Sequence, residues 1–234
     1  MFPLRDDQPV FSTPFVTYFL IALNLLIFFF EWQLGLQSRG ALNSLLTQFA
    51  VVPRTEIGFL TGAPTFSPAA ALLPILTSMF LHASWGHVIG NMWMLWLFGD
   101  NIEDNLGHFT YLLFYLLCGI AAGLTHILFN ANSNLPTVGA SGAIAGIMGA
   151  YLVLYPRARV LTWLFIIIVP IPAWVWLILW GANQFLSGAA TALSPYASQA
   201  GGVAFWAHVG GFVVGILMIK LFPQRRNRYR YGTW

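Results

Sequence analysis

The chain has 234 residues, of which 58% are hydrophobic and only 7% charged. A soluble domain carries about 25% charged residues, so this composition excludes an ordinary soluble protein and describes one that crosses a membrane several times. The net charge of +3 comes from the C-terminal cluster Arg225, Arg226, Arg228 and Arg230. After a membrane helix, such a cluster marks the cytoplasmic side rather than a nucleic-acid site. The length suits one compact unit over residues 1–234, with no separate soluble domain and a basic tail over 223–234. The single cysteine, Cys118, lies in an apolar run and reads as a buried thiol.

Six spans are expected, and with them an all-α fold. The first covers residues 14–32 and has no small-residue cleavage site after it, so it reads as an anchor rather than a removable signal. A long segment follows, to about Ser84, with few charges and prolines at 53, 64, 68 and 74. It is too apolar for a solvated loop, and part of it is expected to lie in the membrane interface. The second span covers 85–98, the third 109–129, and the short fourth 141–154. The fifth is placed at 160–180, with Pro170 and Pro172 expected to bend it or split off its first part. A Gly/Ala/Ser-rich loop, Ser187 to Gly202, leads to the sixth span at 203–222.

Orientation follows from the basic residues. Arg157 and Arg159 lie between spans four and five, and Lys220 with the arginine cluster closes span six. Both regions fall on one side of a six-span bundle. The positive-inside rule makes that side, and both termini, cytoplasmic. The acidic stretch Asp100 to Asp104 then lies inside as well.

With this topology, polar groups from three spans reach similar depth. Ser141 opens span four from the outer side, within Gly139-Ala140-Ser141-Gly142. A serine at a glycine-lined helix start has free backbone N–H groups and the positive end of the helix dipole beside it. His208 lies about five residues into span six from the same side, roughly 7–8 Å deep at the helical rise. His87 and Asn91, spaced i and i+4, share one face in the outer half of span two. Ionisable groups inside a membrane are costly and usually functional. Nucleophilic catalysis needs a hydroxyl, a base and oxyanion donors; Ser141, His208 and the pair His87/Asn91 are the candidates. Gly211 and Gly215 follow His208 along one face, which lets span six approach span four closely. His82 sits five residues before His87 at the helix entry, whereas His108 and His126 have no supporting pattern. No H-E-x-x-H occurs and no carboxylate lies near His82, His87 or His208 in sequence, so no metal is expected, and the chemistry reads as a Ser–His dyad.

The stretches HASWGHVIGN, FGDNIEDNLGH, GASGAIAGIMGAYLVLYPRARV and GGVAFWAHVGGFVVG resemble the rhomboid family of intramembrane serine proteases, in particular its bacterial and archaeal members. The likeness runs from about Pro74 to Gly215. It implies a six-helix rhomboid-like bundle with a partly membrane-embedded first outer loop, in a membrane expected to be the prokaryotic cytoplasmic one. It implies Ser141 as nucleophile and His208 as general base. The oxyanion hole would be His87, Asn91 and the Ser141 N–H, lined by Gly139, with His82 in a supporting role. It implies single-span membrane protein substrates cleaved near their outer ends, with span five and the loop after it controlling entry. Two positions depart from the family pattern. Ala145 stands where many members stack an aromatic ring on the base, so either another group orients the imidazole or its orientation is looser. Leu73-Pro74 stands where some members carry a Trp-Arg pair. A non-catalytic client-binding relative and a small transporter are the rival classes. Retention of both Ser141 and His208 disfavours the first, and the shallow, one-sided polar groups disfavour the second.

Overall fold

A computed structural model describes residues 1–62, 67–193 and 203–225. A strand, β1 (Phe2–Asp6), precedes the first long helix, α1 (Phe15–Gln37). No side chain of its own caps α1. Glu103, fully buried, does so from a distant helix. Its carboxylate accepts from the Val16 N–H at 2.8 Å, the Thr17 N–H at 2.7 Å and the Thr17 hydroxyl at 2.8 Å. His108 Nδ1 lies 2.6 Å from its Oε1. A buried carboxylate persists only where its lone pairs are taken up in this way.

The long segment after α1 is largely helical. It holds α2 (Arg39–Phe49), α3 (Pro53–Leu60), α4 (Pro68–Thr77) and a 3-10 turn, Ser78–Phe80. Ser38 accepts from the Ala41 N–H to start α2, and Pro53 occupies the first turn of α3, where its missing donor is harmless. Leu73-Pro74 lies inside α4, so the segment is anchored elsewhere. Val51 and Thr137 exchange backbone hydrogen bonds of 3.1 and 2.7 Å. The Arg54 N–H donates to the Ser133 carbonyl, and the Thr77 hydroxyl to the Phe49 carbonyl.

Next come α5 (Trp85–Leu106), begun by Ser84 accepting from the His87 N–H, and α6 (His108–Phe129). The acidic stretch Asp100 to Asp104, expected beyond the second span, is the last part of α5 itself. Gly107, at φ 80°, makes the abrupt turn between the two helices. Among the described residues, α1 and α6 are long and apolar enough to cross a membrane. The run Ala71–Phe80 with Trp85–Leu106 forms a third candidate bent by 79°. The helices α7 (Ser141–Leu154) and Phe205–Leu221 are apolar but shorter.

The sequence-based placement of span five is corrected by the structure. Residues 159–172 form a hairpin, β2 (Arg159–Leu164) and β3 (Ile167–Pro172), joined by Phe165-Ile166. With β1 they make a three-stranded antiparallel sheet in the order β1-β2-β3, so the fold is not purely helical. The run is rich in Val, Ile, Thr and aromatic residues, which favour a pleated strand, and Pro170 and Pro172 forbid an internal helix. Antiparallel alternation from the Leu164↔Ile167 pair points the backbone nitrogens of 168, 170 and 172 to the open edge of β3. Two of those three are proline nitrogens, with no donor left unpaired there. The helix that follows, α8 (Ala173–Leu193), takes in Ser187 to Leu193 of the expected loop; residues 194–202 lie outside the described residues, as do Arg226, Arg228 and Arg230.

The last helix, α9 (Phe205–Met218), packs on α7 through glycines. A Cβ on Gly211 would strike the Gly142 carbonyl, one on Gly215 the Gly146 carbonyl, and one on Gly149 the Phe212 carbonyl. Backbone therefore lies directly on backbone, the close approach that small residues permit between membrane helices. Phe98, Tyr115, Ile144, Ile147, Met148 and Tyr151 fill the core between α5, α6 and α7.

Candidate active site

The glycine contact sets the distance between two chemically competent groups. Ser141 is the first residue of α7, and His208 lies one turn before Gly211 on α9. Ser141 Oγ is 2.7 Å from His208 Nε2. His208 is buried, and its Nδ1 lies 2.8 Å from Oε1 of Gln184 on α8. An amide oxygen can only accept, so this contact places the proton on Nδ1 and leaves the Nε2 lone pair facing the serine hydroxyl. The hydroxyl then donates to Nε2, the arrangement a general base requires.

On the other side of Ser141 the backbone bends through Gly139 at φ 132°, a conformation that other residues rarely adopt. The Gly139 N–H donates to the Ser78 carbonyl at 2.8 Å, tying the loop before α7 to the turn before α5. A Cβ at Gly139 would lie 2.8 Å from His87 Nε2 and 3.6 Å from Asn91 Nδ2. Both side chains therefore close on the empty face of that glycine. Asn91 Nδ2 is buried and has no hydrogen-bond partner among the described residues. The Ala83 N–H approaches His87 Nδ1 at 3.5 Å, which leaves Nε2 as the donor of that ring. The first N–H groups of α7, from Ser141 on, have no intrahelical acceptor. His87 and Asn91 of α5 thus meet at Gly139, two residues before Ser141.

His82 packs against this group rather than joining it. Its ring is edge-on to Phe28 and lies 5.1 Å from the His87 ring, while its backbone N–H donates to Glu31 at 3.1 Å. Burial, aided by His87, pushes the His82 imidazole down to about 3, so it is neutral at physiological pH. A cavity of about 30 Å³ reaches Ser141 from the side of Ser78, His126 and Thr137. That is room for one or two waters. Among the described residues no three His, Cys, Asp or Glu side chains come together as a metal site.

The Rhomboid domain family model matches residues 69–225, which include His82, His87, Asn91, Gly139, Ser141, Gln184 and His208. The chain belongs to the rhomboid family. Among rhomboid proteins, "Rhomboid protein 1, mitochondrial" of Saccharomyces cerevisiae is 30% identical over 172 residues, 69% of this chain and 47% of that protein. "Presenilin-associated rhomboid-like protein, mitochondrial" of Homo sapiens is 28% identical over 192 residues, covering 78% and 46%. "Rhomboid protease GluP" of Bacillus subtilis is 31% identical over 150 residues, covering 63% and 26%. The chain spans about half the length of the mitochondrial relatives. Relatives from mitochondria as well as a bacterium share the rhomboid pattern, so the likeness does not single out a prokaryotic membrane. An integral, multi-pass membrane protein follows from rhomboid membership together with the apolar helices.

Three side chains near the dyad were not legible as site residues. Gln184 falls between the expected end of the fifth span at Trp180 and the expected loop from Ser187, because that span is placed too early. Trp180, whose ring centroid lies 5.8 Å from that of His208 at 31°, was read only as the end of that span. His126 had no sequence pattern, yet its Nε2 lies 2.9 Å from the Thr137 hydroxyl on the cavity wall. The available signal for Gln184 was its type, an amide within a run that has no charged residue from Val160 to Leu193. His108 is explained structurally by its contact with Glu103.

Proposed function

We propose that this rhomboid protein is an intramembrane serine endopeptidase that hydrolyses membrane-spanning segments of other proteins near their outer ends. The observation that carries the reading is the 2.7 Å contact between Ser141 Oγ and His208 Nε2. In the reaction, Ser141 gives its proton to His208 Nε2 and attacks the scissile carbonyl. The resulting oxyanion takes hydrogen bonds from the Ser141 N–H, Asn91 Nδ2 and His87 Nε2, with Gly139 leaving the space it needs. His208 returns the proton to the leaving amine. Water from the cavity then hydrolyses the acyl-enzyme, with His208 again as base. Six membrane crossings, α1, α5, α6, α7, α8 and α9, with both termini cytoplasmic, bring the site to the outer half of the bilayer. The substrates are single-span membrane proteins, admitted past α8 and the segment after it. No cofactor or nucleic acid takes part.

The test is incubation of purified protein in lipid with a panel of single-span proteins, followed by mapping of new termini. Wild type yields defined cuts and labels with a fluorophosphonate at Ser141, whereas Ser141→Ala and His208→Ala stay folded and yield neither. Undiminished cleavage by Ser141→Ala refutes the mechanism.

A further inference from the structure

We infer that Gln184 is the positioning residue of the dyad, holding His208 in the one tautomer and ring orientation that can accept the serine proton. The inference rests on the protease reading above. His208 has two ring nitrogens. A base at Nε2 works only if the proton resides on Nδ1 and the ring plane is fixed. Without a partner at Nδ1, a neutral imidazole places its proton on either nitrogen, and the Nε2–H form cannot take a proton from Ser141. The candidates for that partner are few. Ala145, one turn along α7 from Ser141 and fully buried, ends at its methyl group and can neither stack on nor hydrogen-bond the ring. No carboxylate contacts His208 among the described residues. Gln184 Oε1 does, at 2.8 Å.

The placement has the marks of a built contact. Gln184 and His208 are both buried, at 7% and 9% exposure. A buried amide left without a partner keeps its full desolvation cost, so its hydrogen bond is a requirement and not an ornament. Trp180 and Gln184 are i and i+4 on α8, hence on one face. One packs beside the imidazole and the other caps its Nδ1. Gly181 and Gly188 lie on the same helix with Cβ positions 3.2 Å from Phe212 and Trp206 of α9 or its first turn, which holds α8 close enough for a Gln side chain to reach. A neutral acceptor also has a chemical consequence. It orients the imidazole and steadies the Nδ1–H of the transient imidazolium without placing a second charge in the membrane, where a carboxylate would be costly.

The experiment compares wild type with Gln184→Met, Gln184→Glu and Ser141→Ala in lipid vesicles, reading kcat, KM and the rate of fluorophosphonate labelling. Methionine keeps the length and packing of the side chain and removes the acceptor. Glutamate keeps an acceptor in the same place. Gln184→Met is expected to lower kcat and the labelling rate together by about 10- to 100-fold, part of the roughly 10²–10⁴-fold that a general base supplies, with KM unchanged. Gln184→Glu is expected to retain or restore most of that rate. Equal loss in both variants, or a change in KM alone, overturns the positioning role and assigns Gln184 to packing. A Gln184→Met protein as fast as wild type overturns it outright. If wild type itself neither cleaves nor labels above Ser141→Ala, the protease reading falls, and this inference with it.

Discussion

Replacing Gly211 with alanine tests whether the α7–α9 backbone contact sets the geometry of the dyad. The added methyl group points at the Gly142 carbonyl, the residue next to Ser141, and is also 3.4 Å from the Ala122 methyl. A peptide carbonyl inside a helix cannot swing aside as a side chain does, so the two helices must part. Overpacking a close-packed interior costs about 1–3 kcal/mol. The parting falls one turn from His208, whose contact with Ser141 is 2.7 Å long. A displacement on the order of 1 Å takes the hydroxyl out of hydrogen-bond reach and costs on the order of 10²-fold in rate. The assay is cleavage of a single-span substrate and fluorophosphonate labelling in vesicles, beside thermal unfolding in detergent. Gly210→Ala is the control. Its methyl group would lie 2.5 Å from Cβ of Thr125 on α6, which no rotamer change can move, so it overpacks the α6–α9 contact and not the α7–α9 contact that carries Ser141. The expected order is a large loss of rate for Gly211→Ala and less than about a tenfold loss for Gly210→Ala. Wild-type labelling and an unchanged unfolding temperature in Gly211→Ala refute the idea that glycine contact holds the dyad together.

Two further changes probe the sheet. Asp6, which accepts a hydrogen bond from Tyr151, is pushed up to about 6 from its ordinary 3.8, chiefly by burial. The folded protein therefore holds this proton more tightly than the unfolded chain. The stabilisation is full below about pH 3.8 and is lost as pH rises through about 6. Partial exposure reduces the penalty at pH 7.5 to about 1–2 kcal/mol; Asp6→Asn is expected to raise the unfolding temperature there and not at pH 4, and an equal gain at both values contradicts the assignment. Phe165, at φ 55° and 89% exposed, sits where a two-residue hairpin favours glycine. Phe165→Gly relieves a left-handed conformation worth about 1–2 kcal/mol and gives up almost no packing. Hydrogen exchange of the β2–β3 amides should slow, and faster exchange counts against the strain.

The helical elements were legible because their signals are local. An uninterrupted apolar run specifies a helix within its own residues, whereas α2, α3 and α4 lie in a segment whose sequence reads only as partly interfacial. The sheet was not legible, because its cause is not local. The sequence from Val160 to Trp180 is as apolar as any span in the chain. What makes its first part a hairpin is pairing with β1, more than 150 residues earlier, where Asp6 opposes Val160 and Phe2 opposes Trp163. The prolines at 170 and 172 signalled a break, but could not say that a strand lay before it. The same holds for α1, whose start depends on Glu103. In the motif FGDNIEDNLGH that residue looked like one more acid at a helix end.

The site was legible to the degree that topology alone brings residues together. Ser141, His208, His87 and Asn91 each lie near the same end of a helix that sequence could delimit, and depth on a helix is simply residue count. Gln184 escaped for a connected reason. Reading the hairpin as helix begins the fifth span too early and ends it at Trp180, which leaves Gln184 outside the span. Once the strands are recognised, the helix starts at Ala173 and the amide falls at the depth of His208. The departure at Ala145 left two readings, another group on the imidazole or a looser ring, and Gln184 supplies the first. A missing ring on α7 and an amide on α8 are therefore one observation seen from two sides: the orienting contact has moved from the nucleophile's own helix to a neighbouring one, and it now depends on how closely α8 packs against α9.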